Sequence, residues 1–354
     1  PGSWSLDASH QDRPFCAYMS ALVGEPFERA FRDASSRYGI QLDTVRLRVV
    51  NGFLYTQPAP VGAPEGATGT PPKLIFKALQ RLHPELRRRN REAGRAFEAR
   101  LWREDMRKWD EETRPQLERT YREMLAQVPA DLDDASFLAH LRSARQAVID
   151  SWYIHHAQYP TCAVPMGDLI AKTKAWTGRD EASIVRAVRG SSPASCGDEE
   201  LLAAIVEALG EHDDALGLVN SDAGEGQIVE ALLAREDTVG RATRKWRDLV
   251  GYRPVTGFDL VDLAAHEMPE MLVASLRRLL GGKASVANRE RAAAALSELR
   301  RSVPEAKRAE FDALLEEVHF THRIRDERVA YCDAWMVGML RRALLDAGRR
   351  LHEA

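Results

Sequence analysis

The spacing of apolar residues changes period along this chain, and each change marks a different element. Between residues 44 and 50 apolar and polar positions alternate, with Val45, Leu47 and Val49 on one side and Arg46 and Arg48 on the other. That two-residue period predicts a half-buried strand. Asn51-Gly52 then supplies the two residues of a tight hairpin turn, and Phe53-Leu54-Tyr55 begins a return strand. This hairpin is the only strong β signal in the chain.

Elsewhere the period is helical. A short helix is expected over 27–38, and the stretch 58–72, rich in Pro, Gly, Ala and Thr, reads as an exposed linker. The highly charged stretch 93–125 predicts a long helix or a pair, kinked or broken at Pro115. Over 134–159, Phe137, Leu141, Ala144, Val148 and Trp152 recur at three- and four-residue steps, the stripe of a third long helix. From 160 to 226 the chain is broken by Gly178, Gly190, Pro193, Gly197, Gly210 and Gly224 into short helical pieces, which predicts a small, irregular capping subregion. Helices resume over 227–249, 269–280, 286–303 and 305–351, and no internal repeat at a fixed period is present. The expected fold class is therefore mainly α. A first section, 1–72, holds the hairpin and linker, and a multi-helix domain spans 73–354.

Composition narrows the functional classes. The 354 residues carry 50 basic and 53 acidic side chains, a net charge of -3, so no global field favours nucleic acid or membrane. Arg87-Arg88-Arg89 and Arg91 lie beside Glu85 and Glu92 and read as a solvated helix face. The four cysteines, Cys16, Cys162, Cys196 and Cys332, are scattered and lack the close pairs of a zinc or redox motif. No apolar run approaches the roughly 20 residues needed to cross a bilayer, so a soluble, cytoplasmic protein is expected. The opening Pro1-Gly2-Ser3, in place of methionine, favours the excised interior of a longer protein.

The familiar phosphate and hydrolase signatures are missing. Gly281-Gly282-Lys283 lacks the upstream spacing of a Walker loop, and there is no GxGxxG, GxSxG or HExxH. What remains are polar residues on otherwise apolar faces. His155 continues the 134–159 stripe, with His156, Trp152, Tyr153 and Tyr159 beside it. Either a hydrogen-bonded core histidine or an aromatic-walled ligand site fits that pattern. On the 305–351 helix, Phe311, Leu314, Leu315, Val318, Val329 and Met336 define the apolar stripe, and His322 and Arg325 fall on it. A buried arginine needs a partner, for which Asp326, Glu317 or Glu267 are available, or else an anionic ligand suited to its planar fork. The loop Gly251-Tyr252-Arg253-Pro254-Val255-Thr256-Gly257-Phe258-Asp259 leads into His266-Glu267-Met268-Pro269-Glu270, where Pro269 and Glu270 suit a helix start. Capping accounts for Glu270 better than for Glu267.

In their order along the chain, these segments resemble the central region of phosphoenolpyruvate-utilising enzymes, the synthase-like and rifampin-phosphotransferase-like proteins. The resemblance rests on Trp4-Ser5-Leu6-Asp7 through His10 and Arg13-Pro14, on Val50-Asn51-Gly52-Phe53-Leu54-Tyr55, and on Gly251-Tyr252-Arg253 running into Glu267-Met268-Pro269-Glu270. Arg323-Ile324-Arg325-Asp326-Glu327-Arg328, Gly338, Arg341-Arg342-Ala343-Leu344-Leu345 and Gly348-Arg349-Arg350-Leu351 extend it.

The resemblance implies an acceptor-binding domain. In that family an ATP-grasp domain moves the β-phosphoryl group of ATP to a histidine of a swivelling domain, which delivers it to a small-molecule acceptor. Neither phosphate-carrying part is visible in this sequence, so ATP and magnesium are expected on partner domains, in cis or in trans, with no cofactor or metal held by this chain. In such a reaction Arg253 and Arg325 would neutralise the incoming phosphoryl group and His155 or Glu267 would take the proton of the acceptor hydroxyl, so these four are the expected catalytic set. Trp152, His156, Tyr252, His322, Asp326, Arg328 and Met336 are expected to line the acceptor site. The product would be a phosphate ester, an alkene after phosphate elimination, or a condensation product. A catalytically idle helical interaction module is the alternative.

Overall fold

The computed structural model describes residues 3–7, 13–63, 72–189, 198–281 and 286–353. It is mainly α. In chain order the helices are α1 (Ala17–Tyr38), α2 (Lys73–Leu82), α3 (Pro84–Glu98), α4 (Leu101–Lys108), α5 (Arg114–Ala126), α6 (Asp134–Ala157), α7 (Tyr159–Thr177) and α8 (Glu181–Arg189). They continue as α9 (Asp198–Leu209), α10 (Asp213–Val219), α11 (Glu225–Ala234), α12 (Thr238–Trp246), α13 (Pro269–Leu280), α14 (Val286–Ser302), α15 (Glu305–Arg328) and α16 (Trp335–Glu353). Among the described residues no helix is long and apolar enough to cross a membrane. The chain divides into two compact units: the first is 1–166 with 257–261 and 331–354, the second 167–256 with 262–330.

In the first unit the expected hairpin is present and larger than expected. Strands β2 (Leu42–Val50) and β3 (Phe53–Pro60) pair antiparallel, and β1 (Ser5–Leu6) adds to the other edge of β3, giving the order β1-β3-β2. Asn51 and Gly52 take φ values of 52° and 82°, the two positive-φ positions of a type I′ turn. Residues 58–60, expected in a linker, belong to β3, and residues 64–71 of that linker lie outside the described residues. Leu47 and Leu54 are buried under α1, whose Glu28 accepts from Leu47 N–H at 2.9 Å and, through its carbonyl, from Thr44 Oγ1 at 2.6 Å.

Helix α1 begins ten residues earlier than expected and runs through Pro26. A proline forfeits one backbone hydrogen bond, but Met19, Leu22, Val23, Phe27, Ala30 and Ala34 form a buried stripe that spans it. Fully burying a large apolar side chain is worth roughly 1.5–3 kcal/mol, so the stripe outweighs the lost bond. The charged stretch 93–125 is broken twice. Arg100 adopts φ 48° and separates α3 from α4, so that Trp102 is buried edge-on to Phe97, 5.8 Å away. A π-helical turn, Trp109–Thr113, then precedes α5, whose Pro115 falls in the first turn, where a missing N–H is tolerated. The expected single helix over 305–351 is likewise interrupted by a π-helical turn, Val329–Ala334.

The first unit is centred on α1, α5, α6 and α16. Trp109, Tyr331, Trp335 and Tyr121 form an aromatic ladder, with Tyr121 and Trp335 stacked at 4.4 Å and 13°. Arg350 of α16 ties this core to the start of α6, donating to the Pro129 carbonyl at 2.7 Å and pairing with Asp346 and Asp134 at 3.0 Å each.

The second unit has its own core. Ile205 and Leu209 of α9, Ile228 and Leu232 of α11, Val239 and Trp246 of α12, and Leu272, Val273 and Leu276 of α13 form one buried cluster. The glycine-broken stretch expected as a capping piece thus contributes α9 to α11 to this cluster, while α7 runs unbroken through Pro165. Residues 190–197, including Gly190, Pro193, Cys196 and Gly197, lie outside the described residues.

Candidate functional site

In the first unit α6 carries Trp152, His155 and His156 within a single turn, so all three share one side of the helix or its edge. Trp152 is buried and meets Phe15 edge-on at 6.4 Å. His156 lies among Phe27, Phe31 and Trp152, with ring centroids 4.6, 5.9 and 5.1 Å away. Its Nδ1 sits 2.8 Å from the Trp152 carbonyl. A carbonyl oxygen only accepts, so Nδ1–H donates.

His155 is placed differently. Its Nδ1 is 2.7 Å from Oδ2 of Asp333, and the two side chains are 14% and 7% exposed. Its ring runs nearly parallel to Trp152, 22° apart at 6.5 Å, and lies 4.7 Å from His156. This gives a mostly buried imidazole bounded by an aromatic wall with a carboxylate in ion-pair contact, an arrangement suited to accepting a proton. Met336, expected in the acceptor wall, is 1% exposed at the start of α16 and is accounted for by packing.

In the second unit the loop after α12 folds back on itself. Val255 N–H donates to Leu263 O at 2.9 Å and Ala265 N–H to Arg253 O at 3.0 Å, around a bridge between Pro254 and Ala264. Arg253 is 7% exposed on this ribbon. Tyr252 packs on His266 at 4.9 Å, and His266 Nδ1 is 2.8 Å from the Gly251 carbonyl. Glu267 Oε2 accepts from Ala264 N–H at 2.8 Å, so this carboxylate caps the short 3-10 turn Ala265–Glu267. The expectation that capping leaves Glu267 unexplained is corrected by that bond.

Helix α15 brings a second correction. Arg325, expected on the buried stripe, has a side chain 40% exposed, and its Nε bonds Asp326 Oδ1 at 2.9 Å. The buried positions are its neighbours: Ile324 at 0%, His322 at 7%, Glu327 at 4% and Arg328 at 8%. At this end of α15 the buried face is the one carrying Ile324, Glu327 and Arg328, and Arg325 lies off it. Arg323 secures Glu327, with both carboxylate oxygens 2.9 Å from its Nη1.

No protein-family model matches this chain, and no curated protein matches it. Among the described residues no group of three or more His, Cys, Asp and Glu side chains is arranged to hold a metal ion.

Asp333 is not among the residues that periodicity singles out, yet the sequence carries a sign of it. It is the only charged residue between Arg328 and Arg341, in an otherwise apolar and aromatic run. Asp259 closes the loop that begins at Gly251. It is 1% exposed and accepts from the backbone N–H of Cys16 and of Leu260, each at 2.6 Å, fixing the N-terminus of α1. Burial, and then the neighbouring Asp259, push the Cys16 thiol above its ordinary range, so that sulfur is a weak nucleophile.

Proposed function

We propose that this chain is the acceptor-binding part of a phosphoenolpyruvate-synthase-like, ATP-dependent phosphotransferase. In this reading it receives a phosphoryl group from a phosphohistidine domain and directs it to a small-molecule hydroxyl. The observation that carries the reading is the His155–Asp333 contact of 2.7 Å beside Trp152. Phosphoryl transfer needs alignment, charge compensation and a place for the hydroxyl proton, and this imidazole offers the last. In the second unit Arg253 and Arg325 are candidate anion-binding cations, and Glu267, engaged as a cap, is a weaker candidate base. ATP and magnesium belong to the partner domains.

The test is reconstitution. The chain is combined with an ATP-grasp domain and a phosphohistidine domain of this kind, β-labelled ATP is supplied, and candidate hydroxyl compounds are screened. Label entering a small molecule or its released phosphate, only when the chain is present and much reduced by His155→Gln, is the expected result. Mass spectra of the product separate ester, alkene and condensation outcomes.

One observation favours the second reading, an interaction module. Helix α2 leaves Leu74, Ile75, Leu79 and Leu82 exposed at 82%, 54%, 40% and 76%, while Gln80 faces Gln41 of the body at 3.2 Å. Apolar side chains gathered on one short helix mark a contact surface. If assembly is the whole role, Leu74→Glu with Leu82→Glu abolishes association with the partner domains, and His155→Gln leaves every measured property unchanged.

A further inference from the structure

Resting on the proposed role of His155, we infer that Asp333 is its positioning residue, holding the ring with the proton on Nδ1 and the lone pair of Nε2 turned to the acceptor.

The geometry carries this in three steps. The Nδ1 atom lies 2.7 Å from Asp333 Oδ2 as an ion-pair contact, without the alignment of a full hydrogen bond; two unprotonated lone-pair atoms repel at that distance, so the proton belongs on Nδ1. The remaining nitrogen, Nε2, is then the basic one. Second, the contact spans a long stretch of sequence. His155 is fixed by α6, whereas Asp333 lies in the π-helical turn Val329–Ala334. Such turns insert an extra residue into a helix and re-aim the side chains around it, and they occur frequently at functional sites. Third, Asp333 is a carboxylate set in an apolar stretch. Its neighbours Cys332, Ala334, Trp335, Met336 and Val337 are all buried, and His155 is among the groups that offset the desolvation of a side chain 7% exposed. The adjacent His156 uses its own Nδ1–H on the Trp152 carbonyl, a local helix contact that any sequence neighbour could make. His155 is the one of the pair oriented by a distant carboxylate.

The acceptor oxygen forms its bond to phosphorus as the phosphorus–nitrogen bond of the carrier phosphohistidine breaks. The electron pair of that bond returns to the carrier imidazole, and the acceptor's hydroxyl proton passes to Nε2 of His155. Asp333 touches none of the reacting atoms. It fixes the tautomer and orientation, and it stabilises the imidazolium formed.

The experiment uses the full chain labelled with ¹⁵N-histidine. The expected wild-type spectrum shows His155 protonated at Nδ1 and bare at Nε2. A wild-type His155 that is bare at Nδ1 overturns the inference without any variant. Asp333→Asn is expected to mix the tautomers, and Asp333→Glu, which keeps the carboxylate, to preserve the wild-type form. An unchanged spectrum in Asp333→Asn, with the fold intact by circular dichroism, also overturns it. In the reconstituted reaction Asp333→Asn is expected to lower kcat by roughly 10²-fold, at the low end of what a positioned base supplies, with KM little changed. A changed tautomer with unchanged kcat keeps Asp333 as the orienting group and removes His155 from the reaction, so failure of the function is read separately from failure of the positioning.

Discussion

Gly39 lies directly against the backbone of Arg89: a Cβ on Gly39 would stand 2.2 Å from the Arg89 carbonyl oxygen and 2.3 Å from Ala93 N. Gly39 also ends α1 in the left-handed region, with φ 66°, its N–H bonded to the carbonyls of Ser35 and Ser36. Arg89 completes the junction, donating from Nη1 to the Ile40 carbonyl at 2.9 Å. The first prediction follows from this contact. Gly39→Ala meets both left-handed strain and a backbone clash, each costing about 1–3 kcal/mol, so it lowers stability by roughly 2–5 kcal/mol in a denaturant titration. A variant within about 0.5 kcal/mol of wild type, the range of an ordinary surface change, refutes the close approach.

A second prediction concerns the buried pair Tyr38 and Asp105. The Tyr38 hydroxyl donates to Asp105 Oδ2 at 2.6 Å, with Arg37 also paired to that carboxylate. Burial, then the charge of Asp105, push the Tyr38 phenol well above its ordinary 10.0. The folded state therefore keeps a proton that the unfolded state releases, so this contribution to stability is intact below pH 10.0 and is lost as pH rises beyond it. Asp105→Ala strands a buried hydroxyl and costs about 2–3 kcal/mol near neutral pH. Absorbance of phenolate followed against pH shows Tyr38 ionising only with alkaline unfolding.

The two arginines of α15 give a third. With its side chain 40% exposed and paired to Asp326, Arg325 contributes little to the fold, and Arg325→Ala shifts stability by less than about 1 kcal/mol. Arg328, 8% exposed, has far less water to fall back on, so Arg328→Ala produces the larger loss of Tm. A strong fall in reconstituted turnover for Arg325→Ala, at unchanged Tm, supports its proposed contact with the phosphoryl group. A large drop in Tm for Arg325→Ala contradicts the exposed placement.

Acid behaviour of the second unit supplies the fourth. Asp237 caps α12, accepting from Gly240 N–H at 3.1 Å, and binds Arg235 at 2.6 Å. The Arg235 guanidinium, ahead of that cap bond, holds its carboxyl down at about 2 from the ordinary 3.8. The unfolded state thus takes up its proton first as pH falls, and the stabilisation present above pH 3.8 is lost on the way down to about 2. Asp237→Ala is expected to melt below wild type at neutral pH, with the gap closing across that window. A gap independent of pH shows that the carboxylate charge is not what the cap uses.

The amino-acid order alone determined the elements whose cause is local. Asn51-Gly52 fixes the hairpin turn because two successive positive φ values suit few other dipeptides. The 134–159 stripe produced α6 almost to the residue, and Pro269 marked the start of α13. Where several long-range contacts compete with a local rule, the tertiary structure decided. Pro26 stayed inside α1 because apolar side chains on both sides of it are buried together, and Arg100 took a left-handed backbone so that Trp102 could be buried. The same holds for the candidate site. Periodicity marked His155 as a polar residue on an apolar face, but its partner lies 178 positions away by number, 333 less 155. A six-residue π-helical turn set the phase of the chain there. That turn carries Asp333 to His155. Helical spacing carries no information about where a single extra residue enters the turn, because that choice is made by the packing of Tyr331 and Trp335 against Trp109 and Tyr121.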